Sequence, residues 1–325
     1  MKVAVTGASG HVGACLCREL INGGIEVKAL LHNDDRGVCG LNIEFIKGDL
    51  LDKNILDSLC RDVDAVFHLA GKISIENSEK EEVFRTNVDG TRLLLNSCIE
   101  KGVSRFIHFS SIHALSAEPL NEKMDECRPL INSEGTFYEI TKAESERLVL
   151  KAAESGLNAV ILNPTAIIGP CDYKPSYLGQ ALIKIALNKL PMLVSGGYDW
   201  VDVRDVADAA IQALTKGKKG ERYILSGNWY SLKELSEMIG KVSGNKTPKF
   251  VCPTAIAKIG LPVIKLYAKL KNEHPLYTSE SLDILSSSNR NISNNKAKEK
   301  LGFTIRSLED TITDTLSWYT KNNLL

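Results

Sequence analysis

Val3-Ala4-Val5-Thr6-Gly7-Ala8-Ser9-Gly10-His11-Val12-Gly13 runs from a β-branched strand through a glycine turn into a helix. The helix announces itself by Val12, Leu16, Leu20 and Ile21, which fall on one face at helical spacing. A strand that turns through glycines into a helix is built to hold a phosphate. The first N–H groups of a helix have no intrahelical acceptor, and the helix dipole favours an anion there. Gly7 serves the turn, Gly10 the close approach of a pyrophosphate, and Gly13 the packing of helix on sheet. A glycine triplet alone marks many ordinary turns. The strand before it and the helix after it raise this one to a dinucleotide site.

Outward from that stretch, strands alternate with helices. Strands are predicted at Glu26–Leu31, Ile43–Ile46, Ala65–Leu69, Arg105–Phe109, Ala159–Leu162 and Arg222–Leu225. Helices are predicted after Asp52, which caps one ending near Cys60, and over 79–101, 136–154, 201–214 and 307–320. Such alternation gives an α/β fold, a Rossmann-type doubly wound parallel sheet with right-handed crossovers. Residues 169–200 are rich in Pro, Gly and Tyr, and short helices dominate from 231. The expected division is a dinucleotide-binding domain at 1–165, with 200–228 returning to it. A smaller, mostly helical substrate lobe is expected from 166–199 and 229–325. Residues 286–295 read as a loop, and 251–270 as one or two amphipathic helices covering the core.

The 325 residues suffice for one large domain or two unequal ones. Forty basic and forty acidic side chains cancel, which gives no reason to expect a nucleic acid or an anionic membrane as partner. The eight cysteines show no metal-ligand spacing and read as free thiols of a cytoplasmic protein. No metal is expected. The N-terminus goes straight into a strand, unlike a signal peptide, and no apolar run is long enough to span a bilayer.

The chemistry gathers in two places. Tyr138 and Lys142, in YEITK, stand one helical turn apart on one face. A phenol has a reference pKa of about 10, and a neighbouring ammonium favours its ionised form, so the pair makes a proton donor and acceptor. Ser110-Ser111 ends the fifth strand at the carboxyl edge, where Ser111 can bond a substrate oxygen. Singly, the tyrosine–lysine pair reads more readily as a solvated helix face and the serine as a strand-end cap. Glycine turn, serine, tyrosine and lysine in this order favour the joint reading.

The chain resembles an extended short-chain dehydrogenase/reductase of the NAD-dependent epimerase/dehydratase superfamily. TGASGHVG at 6–13 is similar to that family's cofactor loop, GDL at 48–50 to its adenine contact, and HLAG at 68–71 to its strand-four signature. TNVDGT at 86–91, HFSSIHA at 108–114, YEITK at 138–142, NPTAIIGP at 163–170 and WVDVRDVADA at 200–209 complete the likeness. SSIHAL and PSYLGQAL at 175–182 resemble the bacterial dihydroflavonol-reductase-like proteins within it. The resemblance implies Ser111, Tyr138 and Lys142 as catalytic residues. It implies a nicotinamide cofactor held by Thr6, Gly7, Ser9, Gly10, His11, Val12, Gly13, His32, Arg36, Asp49, Leu50, Leu69, Ala70, Gly71, Asn87, Tyr138, Lys142, Asn163 and Pro164. In this scheme Asn87 is mainly structural. The family often forms homodimers, here through the helices near 79–101 and 136–154.

The second strand ends Leu31-His32-Asn33-Asp34-Asp35-Arg36. An acidic residue at that end signals NAD, a basic one NADP. With His32 in that place and Arg36 within loop reach, NADP is favoured over NAD. Ile112-His113 after Ser111 differs from the Asp-Glu of nucleotide-sugar dehydratases, and Ala114-Leu115 from the Tyr-Gly of sugar epimerases. The expected activity is hydride transfer to a ketone or aldehyde of a small molecule. A nucleotide-sugar epimerase with the same residues, or a non-catalytic dinucleotide sensor, are the alternatives. His113, Tyr173, Ser176 and Tyr177 are expected to meet substrate, although aromatics there serve equally as lobe core.

Overall fold

Seven parallel strands form the central sheet of the computed structural model, which describes residues 1–73, 79–271 and 279–325. The elements from the N-terminus are β1 (Lys2–Thr6), α1 (His11–Asn22), β2 (Glu26–Leu31), β3 (Glu44–Lys47), α2 (Lys53–Cys60), β4 (Ala65–His68), α3 (Lys80–Phe84), α4 (Gly90–Glu100), β5 (Arg105–Phe109), α5 (Phe137–Glu154) and β6 (Ala159–Pro164). They continue with β7 (Ala166–Ile168), α6 (Tyr177–Ala186), β8 (Leu193–Val194), β9 (Gly197–Asp202), α7 (Val203–Lys216), β10 (Arg222–Leu225), β11 (Asn228–Ser231) and α8 (Leu232–Ser243). The last are β12 (Val251–Cys252), α9 (Thr254–Lys271), α10 (Ser279–Ser287), α11 (Asn295–Leu301) and α12 (Leu308–Lys321).

The large sheet has the order β10-β6-β5-β4-β1-β2-β3. Chain order reverses between β1 and β4, so the crevice that binds ligands in doubly wound sheets opens at the carboxyl ends of those two strands. Apart from the edge strand β3, which is largely exposed, the strands are buried on both faces, and their side chains alternate between two apolar layers. Val3, Val5, Ala29, Phe67, Ile107, Val160 and Leu162 join one layer. Ala4, Leu30, Val66, Phe106, Ala159 and Ile161 join the other.

A separate cluster forms the lobe, from Ile168, Leu182, Leu193, Trp200, Leu235, Leu282, Ile312 and Tyr319 among others. Two small sheets, β11-β9-β7 and β12-β8, run through it. The sequence reading missed β7 and β8, which have three and two residues, and β9, which a glycine opens and whose last residues were read as the start of a helix. It also began α7 at Val201, whereas Asp202 caps that helix by accepting from the Arg204 N–H at 2.8 Å. The predicted helix over 79–101 contains a π-helical segment at Arg85–Asp89. Ala297, Leu301 and Phe303 pack into the layer beneath the large sheet, not into the lobe.

The asparagine-rich stretch predicted as a loop is one from Ser288 to Asn294, and it works as a clasp. The Asn289 amide donates to the carbonyls of Ala117 and Glu122, at 3.3 and 3.0 Å, and the Asn294 amide to that of Ser226 at 2.7 Å. Those bonds tie the lobe's connecting chain to loops above β5 and β10.

Candidate active site

The glycine turn has the geometry its sequence asks for. Gly7 sits at φ +72°, and a Cβ there would lie 2.7 Å from the Ala70 nitrogen. A Cβ on Gly13 would lie 2.1 Å from the Gly7 carbonyl oxygen, so only glycine lets α1 seat against the turn. Gly10, exposed at the helix start, caps α1 with no side-chain hydrogen bond, and no acidic residue occupies the first turn. The opening N–H groups of α1 therefore remain available to an anion, in a cradle that a Cβ would obstruct. HLAG lies directly against it, with the Leu69 N–H donating to the Thr6 carbonyl at 3.1 Å.

Beneath the turn runs a buried polar chain whose direction can be deduced. Thr91 Oγ1 donates to the Asn87 carbonyl at 2.6 Å, so it accepts from His68 Nε2 at 2.8 Å. His68 Nδ1 is then the acceptor for Thr6 Oγ1 at 2.8 Å, and Thr6 Oγ1 accepts the Ala70 N–H at 3.3 Å. Burial, helped by the charge of Lys142, pushes the His68 pKa down to about 3 and keeps the ring neutral. Thr6 and Asn87 are thus interior struts. The Asn87 side chain brackets Lys72, accepting its N–H at 2.7 Å and donating to its carbonyl at 3.0 Å, and also donates to Thr141 Oγ1.

Other expected cofactor residues are divided between the loops beside the turn and the packed interior. Arg18 reaches the Gly37 carbonyl at 2.6 Å, which lays the 32–40 loop alongside the turn, and Ser9 abuts Gly37. At the start of that loop His32 Nε2 stands 3.8 Å from an Asp49 carboxylate oxygen, and both side chains are more than half exposed. Arg36 grips Asp34 through two bonds of 2.9 and 2.6 Å, and this pairing holds the Asp34 carboxyl down to about 2. Leu50 is buried against Gly90. Val12 packs on the apolar layer. The His11 imidazole leaves the turn and reaches the carbonyls of Gly169 and Pro170, at 3.2 and 3.0 Å.

Across the crevice, α5 presents Tyr138 and Lys142. Thr136 and Glu139 form a capping box that fixes where α5 begins, and hence which residues of YEITK face inward. Lys142 Nζ donates to the Phe109 carbonyl at 2.8 Å, so its charge sits at the end of β5. Burial pulls the Lys142 pKa down to about 8. Burial also pushes the Tyr138 phenol up to about 12, opposed by a hydrogen bond with Ser111. Tyr138 therefore neighbours Ser111, and Lys142 reaches the same strand end two residues before it. The ammonium, however, is engaged by a backbone carbonyl, and in the protein alone the phenol is harder to ionise than the sequence spacing suggested.

A residue the sequence reading passed over holds this corner together. Glu146, fully buried, accepts from Ser110 Oγ at 2.6 Å and from the Asn163 amide at 2.9 Å, and its other oxygen lies 2.9 Å from Arg222 Nε. Asn163 also donates to the Ser111 carbonyl at 3.0 Å. The signal was present: 138, 142 and 146 fall on one helix stripe. Pro164 ends β6 beside Asn163 and pairs with Leu225.

The four residues expected at substrate have mixed placements. His113 Nδ1 faces a Glu139 oxygen at 3.6 Å beside the Ser111 corner. Ser176 caps α6, accepting the Gly179 N–H at 3.1 Å and donating to Asp172 at 2.9 Å. Tyr173 accepts from Arg18 at 2.7 Å and meets Trp318 edge-on. Tyr177 is exposed at the start of α6.

A doubly wound sheet with this crevice defines a nucleotide-binding α/β protein, and comparison with known proteins makes the class specific. The chain belongs to the NAD dependent epimerase/dehydratase family, whose model matches residues 3–226. It is 31% identical to the "Sterol demethylase protein B" of Methylococcus capsulatus, with all of both chains covered. It is 30% identical to the "Putative dihydroflavonol 4-reductase" of Synechocystis sp., covering 97% of this chain and 93% of that one. The crystal structure of gox2253 matches with a TM-score of 0.86 and 32% identity over 99% of each chain.

Proposed function

We propose that the protein reduces a ketone or aldehyde of a small molecule with a nicotinamide dinucleotide, and that it prefers NADP to NAD. The observation that carries this reading is the convergence of Ser111, Tyr138 and Lys142 beside an uncapped glycine turn. Residues 7–13 would hold the pyrophosphate of the dinucleotide, which when bound would supply the hydride. Tyr138 is the proton donor to the substrate oxygen. Its phenol, raised to about 12, is fully protonated near neutral pH, the form that reduction needs. Ser111 bonds the same oxygen and orients it. Lys142, at about 8, is mostly charged at neutral pH and holds ribose hydroxyls. Glu146 and Asn163 keep the Ser110-Ser111 strand end in register with α5.

The NADP preference rests on the end of β2. No carboxylate stands at the His32 position, Asp34 is engaged by Arg36, and both His32 and Arg36 are exposed at the rim. The four-helix contact of a homodimer would form from α3–α4 and α5; the exposure of Phe84 and Ile99 on those helices supports it.

The test is a coupled one. NADPH and NADH are titrated calorimetrically, then nicotinamide absorbance is followed with ketones, aldehydes and UDP-sugars. Loss of NADPH absorbance with a carbonyl compound is expected, and Tyr138→Phe should lower turnover about 1,000-fold while leaving NADPH affinity within about twofold. UDP-sugar interconversion with no net absorbance change would replace reduction by epimerisation. Unchanged turnover in Tyr138→Phe would remove the proposed proton donor.

A further inference from the structure

Residues 238–272 contain seven lysines and no aspartate or glutamate, in a chain whose charges otherwise balance. The structure places the early part of this stretch on the outside of the lobe. Among the described residues Lys241 pairs with Glu309 and Lys258 with Asp283, whereas Lys246 and Lys249 are exposed without an ion pair. Phe250 is 65% exposed, and Met192, brought beside it where the Leu193 N–H bonds the Phe250 carbonyl, is 40% exposed.

The first turns of α9 have the same character. Ala257 and Leu261, one turn apart, are buried in the lobe core. The opposite face of a surface helix is ordinarily polar. Here it carries Ile256 at 59% and Ile259 at 81% exposure, with Lys258 between them. Thr254 pins the helix start to Ser195 through hydrogen bonds of 3.0 Å, so this face is held outward.

We propose that this face of the lobe docks on a lipid bilayer that displays anionic headgroups. Phe250, Ile256 and Ile259 enter the headgroup boundary, and the lysines lie against the anions. Exposed large apolar side chains interleaved with lysines are the pattern of a helix that lies in a membrane interface. Among the described residues no helix is long and apolar enough to cross a membrane, so the attachment is peripheral. A second copy of this chain fits less well, because a two-fold contact through this face would set lysines against lysines.

Co-sedimentation of the full chain with vesicles tests this without reference to catalysis. Vesicles of phosphatidylcholine with about 30 mol % phosphatidylglycerol should carry the protein down at low salt and release it near about 0.5 M salt, while pure phosphatidylcholine should not bind it. Two variants, Phe250→Ser/Ile256→Ser/Ile259→Ser and Lys246→Glu/Lys249→Glu, should each weaken binding at least about tenfold with unchanged circular dichroism. Failure of the wild-type chain to sediment with the anionic vesicles would overturn the proposal. So would undiminished binding of both variants, or self-association in solution that both variants abolish.

Discussion

Helices α1 and α6, one on the large sheet and one in the lobe, satisfy their first turns differently. At α1 the capping position is Gly10, which offers no side chain, and the first turn carries no carboxylate. At α6 the Ser176 hydroxyl takes the Gly179 N–H, and Asp172 takes both the Ser176 N–H and its hydroxyl. One helix leaves its donors for a ligand and the other satisfies them within the fold. Helices α2, α5, α7, α8 and α12 follow the second pattern, with Asp52, Thr136, Asp202, Ser231 and Ser307 as caps. A glycine cap beside a strand end is therefore more informative about ligands than a polar residue at a helix start.

The largest expected effect breaks the open side. Gly13→Ala places a methyl 2.1 Å from the Gly7 carbonyl oxygen. Dinucleotide affinity should fall about 100-fold or more, about 3 kcal/mol, in a calorimetric titration of protein shown to be folded. Retained affinity would mean that α1 does not form the cradle.

The buried charge on that side gives a pH signature. Burial holds the Lys142 ammonium near 8 against 10.5 in the unfolded chain, so the unfolded chain binds this proton more tightly. The folded state carries the whole penalty below pH about 8 and sheds it as the pH approaches 10.5. Wild-type stability, measured by urea unfolding relative to Lys142→Met, should therefore rise across that window, by at most about 3 kcal/mol. A flat difference would place the ammonium in water.

Glu146→Gln sharpens the same side from within. It removes the carboxylate between Arg222, Ser110 and Asn163 and should lower stability by about 2 kcal/mol. It should also lower kcat more than dinucleotide affinity, because the strand end that moves carries Ser111.

Ser176→Ala addresses the closed side and has the smallest effect. Loss of the cap should lower stability by about 1 kcal/mol with dinucleotide affinity unchanged. A changed affinity would erase the distinction between the two helix starts.

Much of this molecule was legible in its residues. The strands at 26–31, 105–109 and 222–225 fall at the bounds predicted for them, and the caps Asp52 and Thr136 lie where helix-start chemistry demands. The site's spacing was legible too, since Tyr138 and Lys142 need only one helix to share a face. The asparagine clasp was not. Its side chains bond carbonyls more than 60 positions away, and a polar tract carries no mark of such partners.

Local pattern alone was enough for the large sheet, the glycine turn and the helix face that Tyr138 and Lys142 share. Each of these depends on periodicities and torsional preferences that act within a few residues. It took the folded packing to show that Ser176 caps a helix, that Thr6 is a strut, and that Glu146 anchors the strand end. A hydroxyl, amide or carboxylate takes its role from whichever donor or acceptor the packing of distant segments places within about 3 Å.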